Sequence, residues 1–238
     1  MNILVLGGAG YIGSHTAKAL AAHGMTPIVL DNLSTGHAGL VKWGPLIRGD
    51  IGDRAVLRQV LRDHHVDGII HFAASAYVGE SMNHPRRYFQ NNVVNSLALM
   101  EEVLDAGIRN LVFSSSCATY GIPSVLPITE LQPQCPVNPY GDSKLFIERA
   151  LRAFETAYGL KWVALRYFNA AGADPANEIG ERHDPETHLI PLAIETALRH
   201  RTAATIPGRS AHITTNRRRS LIPPARRTTA PGSRRVRS

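Results

Sequence analysis

The sequence has few cysteines and no long apolar runs. Two cysteines, Cys117 and Cys135, occur in 238 residues, so a disulfide framework is excluded and a reducing compartment is favoured. No apolar run approaches the roughly 20 residues that a membrane-spanning helix needs. No signal-peptide pattern precedes the first apolar run, at Ile3 to Leu6. We therefore expect a cytoplasmic protein without membrane contact.

Metal-binding patterns are also lacking, although the chain has eleven histidines. None of them forms a His-x-x-x-His pair in a convincing helix, and the two cysteines are 18 positions apart. Zinc sites need such closely spaced ligands, so we expect no structural or catalytic metal. Cys117 is interpreted as a packing residue rather than a nucleophile.

Acidic residues and lysines are missing from one region only. Residues 201–238 contain ten arginines and no Asp, Glu or Lys. Because the whole chain has a formal net charge of +7, residues 1–200 have a net charge of −3. An arginine-rich arm could bind nucleic acid, but the region lacks aromatic residues for base stacking. Its composition fits better with out-of-frame reading of a GC-rich gene from about Thr202. We therefore do not expect nucleic-acid binding, and we expect residues 202–238 to be disordered.

Six short runs rich in Val, Ile and Leu alternate with stretches of helical apolar spacing. Such alternation is typical of a parallel sheet that helices cover on both faces. We predict an α/β fold with a doubly wound parallel sheet of the Rossmann type, in which ligands bind at the carboxyl ends of the strands. The predicted strands are residues 2–6, 26–31, 45–51, 67–74, 109–116 and 160–169, and the main helices are near residues 14–24, 53–66, 85–106 and 138–159.

A glycine-rich turn follows the first run at once. Gly7, Gly10 and Gly13 have the spacing Gly-x-x-Gly-x-x-Gly between a predicted strand and a predicted helix. This pattern lets a pyrophosphate approach the N-terminus of the helix, where free N–H groups favour negative charge. Asp31 ends the second strand, 18 residues after Gly13, where a carboxylate binds ribose hydroxyls and repels a 2′-phosphate. The pattern predicts NAD rather than NADP.

Residues 140–144 read YGDSK, which puts Tyr140 and Lys144 four positions apart on one face of a predicted helix. A nearby ammonium lowers the pKa of a phenol, so that a tyrosine can act as a base near neutral pH. Ser116 ends the fifth predicted strand, where its hydroxyl would bind a substrate oxygen or relay its proton. We predict that Tyr140, Lys144 and Ser116 form the catalytic group.

The motifs GGAGYIGSH, LDNLS, GDI, HFAASAYVGES, SSSCATYG, NPYGDSK and LRYFNAAGA occur in this order. Over about residues 1–200 the chain resembles the extended short-chain dehydrogenase/reductases and, among them, the UDP-glucose 4-epimerases. The resemblance implies an NAD-binding Rossmann-type domain at residues 1–168, the start of a substrate-binding lobe at residues 169–201 and a separate tail at residues 202–238. Because such enzymes continue with the rest of the lobe, we expect this sequence to bind NAD but to hold a UDP-sugar less well.

The resemblance also implies a reaction, in which tightly bound NAD oxidises and re-reduces C4 of UDP-glucose or UDP-galactose. Tyr140 would take the 4-hydroxyl proton, and Lys144 would bind the nicotinamide ribose and lower the pKa of Tyr140. Ser116, Tyr140, Asn169 and Leu189 would bind the substrate. Cofactor contacts are implied for Gly7, Gly10, Tyr11, Ile12, Gly13, Asp31, Asn32, Asp50, Ile51, Phe72, Ala73, Ala74, Asn91, Tyr140, Lys144 and Phe168.

Two departures from the family pattern have consequences. Ala76 and Tyr77 stand before VGES, where many members have a lysine that helps bind the cofactor, so we expect a different cofactor affinity. Ser116 is followed by Cys117, Ala118 and Thr119 rather than by the Asp–Glu pair of related dehydratases, which favours epimerisation.

Two alternatives stay open. One is another NAD-dependent nucleotide-sugar enzyme, either a 4-epimerase for another UDP-sugar or a decarboxylase; the other is a catalytically impaired NAD-binding protein. The family further suggests a homodimer that uses the helices near residues 85–106 and 140–158.

Overall fold

The computed structural model describes residues 1–198, 203–205 and 212–214. The chain divides into two compact units, residues 1–187 and residues 188–238, and the second is described only in part. The domain limits predicted after residues 168 and 201 stay a prediction. Most of the predicted tail, including the proposed change of frame near Thr202, lies outside the described residues.

A six-stranded sheet forms the centre of the first unit. Its strands follow the order β3-β2-β1-β4-β5-β6, and all five pairings are parallel. This order and the flanking helices confirm the predicted doubly wound fold. The strands are β1 (Asn2–Leu6), β2 (Thr26–Asp31), β3 (Leu46–Arg48), β4 (Gly68–His71), β5 (Asn110–Ser116) and β6 (Lys161–Tyr167).

The helices of the first unit are mostly those that the sequence predicts. The stretch predicted as one helix from Pro85 to Ala106 contains a π-helical turn at Phe89–Val94, and a short helix before it was not predicted because six residues are too few for a clear apolar period. The helices are α1 (Tyr11–Ala22), α2 (Arg54–Asp63), α3 (Val78–Asn83), α4 (Pro85–Tyr88), α5 (Asn95–Asp105) and α6 (Pro139–Tyr158), with 3₁₀ turns at Ala38–Leu40 and Cys117–Tyr120.

Aliphatic side chains on both faces of the central strands make the core of the first unit. On β1, Leu4 and Leu6 pack into one buried cluster while Val5 belongs to a second one. Complete burial of such a side chain contributes roughly 1.5–3 kcal/mol. This burial keeps the strands in register, and it leaves the polar residues that follow them at one edge of the sheet.

The described part of the second unit contains one helix and two short strands. Helix α7 spans Leu189–Ala197, and β7 (Ala203–Thr205) pairs with β8 (His212–Thr214) in antiparallel fashion. Among the helices that the structure describes, none has both the length and the apolar character required to cross a bilayer.

Helix α2 offers a direct test of the local structure. The Asp53 carboxylate accepts hydrogen bonds from the backbone N–H groups of Ala55 at 3.0 Å and Val56 at 3.2 Å, as an N-cap should. Asp53→Ala should therefore lower the free energy of unfolding by about 1 kcal/mol. Asp63→Ala, at the exposed other end of the helix, should change it by less than about 0.5 kcal/mol. If urea denaturation showed that Asp53→Ala and Asp63→Ala lower the free energy of unfolding equally, the capping role of Asp53 would be contradicted.

Candidate functional site

The predicted site residues that lie in the first unit meet at the carboxyl edge of the sheet. Gly7 follows β1, Asp31 ends β2, Phe72 follows β4, Ser116 ends β5 and Phe168 follows β6. The strand order changes direction between β1 and β4, which is where ligands bind in open α/β sheets. Leu189, by contrast, belongs to the second unit, and its predicted role stays a prediction.

The glycine turn is shaped by two close backbone approaches. Gly7 has φ +75°, and a Cβ there would lie 2.7 Å from the backbone nitrogen of Ala73. A Cβ on Gly13 would lie 2.3 Å from the carbonyl oxygen of Gly7. Both positions therefore require glycine: Gly7 lies against the loop after β4, and the first turn of α1 lies against Gly7.

Gly10 differs from these two glycines because it has room. A Cβ there would meet only the Gly7 carbonyl oxygen, at 3.4 Å. Gly10 is the N-cap of α1, without a side-chain cap and without an acidic residue in the first turn. The N–H groups of Tyr11 and Ile12 are thus left for an anion, which is the arrangement that binds phosphate at a helix N-terminus.

Asp31 connects the glycine turn to the loop after β2. Its carboxylate accepts hydrogen bonds from the backbone N–H of Ala9 at 2.9 Å and of Leu33 at 2.8 Å. Asn32 donates to the Asp50 carboxylate at 2.7 Å, which joins the ends of β2 and β3. Because each carboxylate oxygen has a further lone pair, Asp31 can still accept from ribose hydroxyls.

Ile51 follows Asp50 and, unlike Asp31 and Asp50, is an apolar residue of the core. Its side chain is 5 % exposed and belongs to the main hydrophobic cluster. Any contact of Ile51 with a cofactor would therefore use its backbone.

An asparagine that the sequence did not single out anchors the loop after β4. Asn92, in the π-helical turn, accepts from the Ser75 N–H at 2.8 Å and donates to the Ser75 carbonyl at 3.0 Å and to Ser143 Oγ at 3.1 Å. The predicted Asn91 is half-buried, and its amide nitrogen lies 3.5 Å from Ser75 Oγ. Nothing in the sequence distinguishes Asn92 from Asn91. Ala76 is exposed in the same loop, and the half-buried Tyr77 ends the loop.

Tyr140 lies at the start of α6 beside Ser116. Asn138 caps this helix by accepting from the Gly141 N–H at 2.8 Å, and the ring of Tyr88 packs edge-on to Tyr140 with centroids 6.4 Å apart. Burial raises the pKa of Tyr140, while the interaction with the Ser116 side chain opposes that rise. Ser116 is thus close enough to influence the Tyr140 phenol, and a proton-transfer pair needs such proximity.

Lys144 is buried one turn further along α6. Its ammonium donates to the Ser114 carbonyl oxygen at 2.7 Å and lies 5.8 Å from the centroid of the Tyr140 ring. Burial lowers the pKa of Lys144 from 10.5 to about 7. The idea that this cation lowers the pKa of Tyr140 stays a prediction.

His71, at the end of β4, shares this buried environment. Burial and the positive charge of Lys144 lower the pKa of His71 to about 3, so the imidazole is neutral. Its Nε2 lies 2.8 Å from Ser96 Oγ.

The segment after β6 extends across α1. Phe168 and Asn169 follow β6 directly, and further along the Tyr11 hydroxyl donates to the Gly172 carbonyl at 2.6 Å. Lys18 forms ion pairs with Asp174 at 2.7 Å and with Glu178 at 2.6 Å. These contacts bring residues 172–178 close to the glycine turn. The predicted contact of Asn169 with the nucleotide sugar stays a prediction.

A protein-family comparison agrees with this geometry. The model of the NAD dependent epimerase/dehydratase family matches residues 3–221. The chain belongs to this family.

Curated relatives and solved structures point to the same branch of the family. The chain is 55 % identical to UDP-glucose 4-epimerase of Rhizobium meliloti (strain 1021) over 200 residues, which cover 84 % of this chain and 61 % of the relative. It is similar to UDP-glucose 4-epimerase from Brucella ovis, solved in complex with NAD, with TM-score 0.84 and 53 % identity. This match covers 85 % of this chain and 62 % of the Brucella ovis chain. It is also similar to UDP-glucose 4-epimerase from Bifidobacterium longum in complex with NAD+ and UDP, with TM-score 0.80 and 35 % identity. This match covers 83 % of this chain and 62 % of the Bifidobacterium longum chain.

These similarities have a defined extent. The chain spans about three fifths of the length of the curated relatives that it matches. Family membership and fold follow from the comparisons, whereas the activity depends on the site's own chemistry.

The buried lysine predicts a pH dependence of stability. Lys144 has its pKa lowered to about 7 in the folded chain, so between about pH 7 and pH 10 the unfolded chain binds more protons and the folded state gains stability as the pH rises. Between pH 7.5 and 9.5, Lys144→Met should flatten the rise of unfolding free energy with pH by as much as about 1.4 kcal/mol per pH unit. Lys161→Met, at an exposed lysine, should keep the parent slope. Identical slopes for parent and Lys144→Met in urea denaturation would refute this effect.

Proposed function

We propose that the protein interconverts UDP-glucose and UDP-galactose by transient oxidation and re-reduction at C4 of the sugar, with tightly bound NAD. The observation that carries this proposal is the placement of Tyr140, Ser116 and Lys144 at the same sheet edge as the glycine turn. A base, a hydroxyl partner and a dinucleotide site must be adjacent for a sugar hydroxyl to be oxidised.

The residues of the glycine turn fit NAD. Gly10 leaves open space at an uncapped helix N-terminus, which suits a pyrophosphate, and the Asp31 carboxylate suits the ribose hydroxyls. A 2′-phosphate would be repelled by Asp31, which supports NAD over NADP. When bound, NAD supplies the hydride acceptor and donor for the reaction. The remaining cofactor contacts are those that the family resemblance implies.

The chain's own residues would handle the proton. Tyr140 accepts the proton of the sugar 4-hydroxyl and returns it at the end of the cycle, while Ser116 hydrogen-bonds to the same sugar oxygen. Lys144 has a pKa near neutrality, and when protonated it favours the phenolate form of Tyr140 by Coulomb attraction. Asn169 and Leu189 are proposed to hold the nucleotide sugar.

The residues after Ser116 support epimerisation over dehydration, the other activity in the family description. Loss of water from a sugar needs a carboxylic acid or carboxylate near the reacting carbons. The 3₁₀ turn Cys117–Tyr120 has the sequence CATY and supplies neither. No observation favours decarboxylation or a cofactor-binding protein without activity.

We further propose a cytoplasmic homodimer in galactose and UDP-sugar metabolism that supplies galactosyl units for polysaccharide. The partly exposed apolar residues Phe89, Val94 and Phe146 lie in the two helical regions that the family uses for dimers, which supports this assembly. Sedimentation at micromolar concentration would test it, and a monomer at all concentrations would contradict it. The absence of a bound metal and of nucleic-acid binding stays a prediction.

The proposed reaction is tested with the 238-residue chain loaded with NAD. Conversion of UDP-galactose to UDP-glucose, followed by NMR, should proceed without an added oxidant. Tyr140→Phe should lower kcat by about 100-fold or more, because the proton acceptor is lost. Tyr158→Phe, at the exposed end of the same helix, should leave kcat unchanged. No conversion by NAD-loaded parent chain would refute the proposed activity.

Cofactor binding is tested independently of turnover. Gly10→Ala should fold normally, because its Cβ meets only one atom at 3.4 Å, but it should weaken NAD binding about tenfold or more by filling the space for the pyrophosphate. Gly39→Ala, in the turn Ala38–Leu40 with open space around a Cβ, is the matched control. Isothermal titration that gave equal NAD affinity for Gly10→Ala and the parent would contradict the proposed phosphate position.

A further inference from the structure

Glu148 is a buried carboxylate that no sequence motif marks as functional. It lies on α6 four positions after Lys144, so Tyr140, Lys144 and Glu148 follow one another on the same helix face. Its exposed fraction is 1 %. A buried charge of this kind is costly unless it is fully paired, and its partners therefore identify what it holds together.

Three segments of the first unit donate hydrogen bonds to this carboxylate. Arg166 on β6 forms a two-pronged pair with it, from Nε at 3.0 Å and from Nη2 at 2.6 Å. Ser115 on β5 donates its hydroxyl proton to Oε1, and Gln134, in the loop before α6, donates to Oε2 at 2.9 Å. Burial alone would raise the pKa of Glu148, but these hydrogen bonds outweigh it and lower the pKa.

Arg166 extends the connection to a fourth segment. Its Nη1 donates to the Tyr120 hydroxyl at 2.7 Å, and Tyr120 ends the 3₁₀ turn that begins directly after Ser116. Arg166 stands opposite Ser115 in the pairing of β5 with β6. The strand residue before Ser116, the turn after it and the helix that carries Tyr140 are thus all attached to one ion pair.

From these contacts we propose that Glu148 and Arg166 are positioning residues, which fix the Ser116 hydroxyl against the Tyr140 hydroxyl. Neither residue needs to touch substrate, because both act through Ser115, Tyr120 and the axis of α6. The role rests on the proposed function for its purpose but not for its test, since the Ser116 side chain already acts on the Tyr140 phenol in the free protein.

The test is a double-mutant cycle read by NMR on the 238-residue chain without cofactor or substrate. Tyrosine is labelled with ¹³C at Cζ, and the Tyr140 resonance is assigned with Tyr140→Phe. Ser116→Ala should move this resonance, because the phenol loses the influence of the Ser116 hydroxyl. In Glu148→Gln the Tyr140 resonance should already be displaced from its parent position. Adding Ser116→Ala to Glu148→Gln should then move the resonance by less than half of the shift that Ser116→Ala causes in the parent chain. The amide that this substitution introduces would turn a donor toward Arg166, which breaks the two-pronged pair.

Glu102→Gln is the matched control. Glu102 is 2 % exposed and is paired with Arg58 at 2.6 Å and Arg54 at 3.0 Å, on α5, outside the segments that Glu148 joins. This variant should lose stability but keep the parent Tyr140 resonance and the full response to Ser116→Ala.

Two results would overturn the proposal. One is a parent-like Tyr140 resonance in Glu148→Gln with a full response to Ser116→Ala, and the other is an equal displacement in Glu102→Gln. If Glu148→Gln does not fold, Ser115→Ala takes its place, because it cuts only the link between β5 and the carboxylate; an unchanged Tyr140 resonance in that variant would equally refute the role. These NMR measurements do not depend on turnover and can be made even if the chain lacks epimerase activity. The positioning role and the proposed activity can therefore be refuted independently of each other.

Discussion

The attachment of helix α6 to strand β5 is the constraint on which the site depends. Lys144 binds the Ser114 carbonyl, Glu148 binds the Ser115 hydroxyl, and Tyr140 meets Ser116. Two consecutive strand residues, Ser114 and Ser115, are therefore held by side chains from successive turns of one helix, and the next strand residue, Ser116, influences the first turn of that helix. Because these groups are largely buried, a loss of any one leaves an unpaired polar atom in a medium of low dielectric. The same contacts that stabilise the packing thus define where a proton can be transferred.

Burial has opposite effects on the two central titratable groups. It raises the pKa of Tyr140 and lowers that of Lys144 to about 7. A lysine with a pKa near neutrality can gain or lose its charge near pH 7, and a phenol close to such a cation is expected to respond to that charge. Burying Lys144 lowers the stability of the fold, and the aliphatic core around the strands offsets this loss.

The sequence predicted the six strands, the long helices and the Asp53 cap, because apolar periodicity and capping are local signals. It also indicated Tyr140, Lys144 and Ser116, since the four-residue spacing of the first two and the position of Ser116 at the end of a strand can be read directly from the sequence. The roles of Asn92 and Arg166 were missed, because each depends on partners far away in sequence, Ser75 and Glu148 among them. The π-helical turn was missed for a related reason, since its pattern differs from that of an α-helix by a single residue.

The fate of the hydrogen at C4 tests the proposed chemistry most directly. UDP-galactose that carries deuterium at C4 would be converted by the NAD-loaded chain, and the UDP-glucose formed would be analysed by NMR and mass spectrometry. Transient oxidation and re-reduction within one site predicts that the deuterium is retained at C4 of the product. UDP-glucose with solvent hydrogen at C4 would contradict oxidation and re-reduction by one retained cofactor at the Tyr140 site.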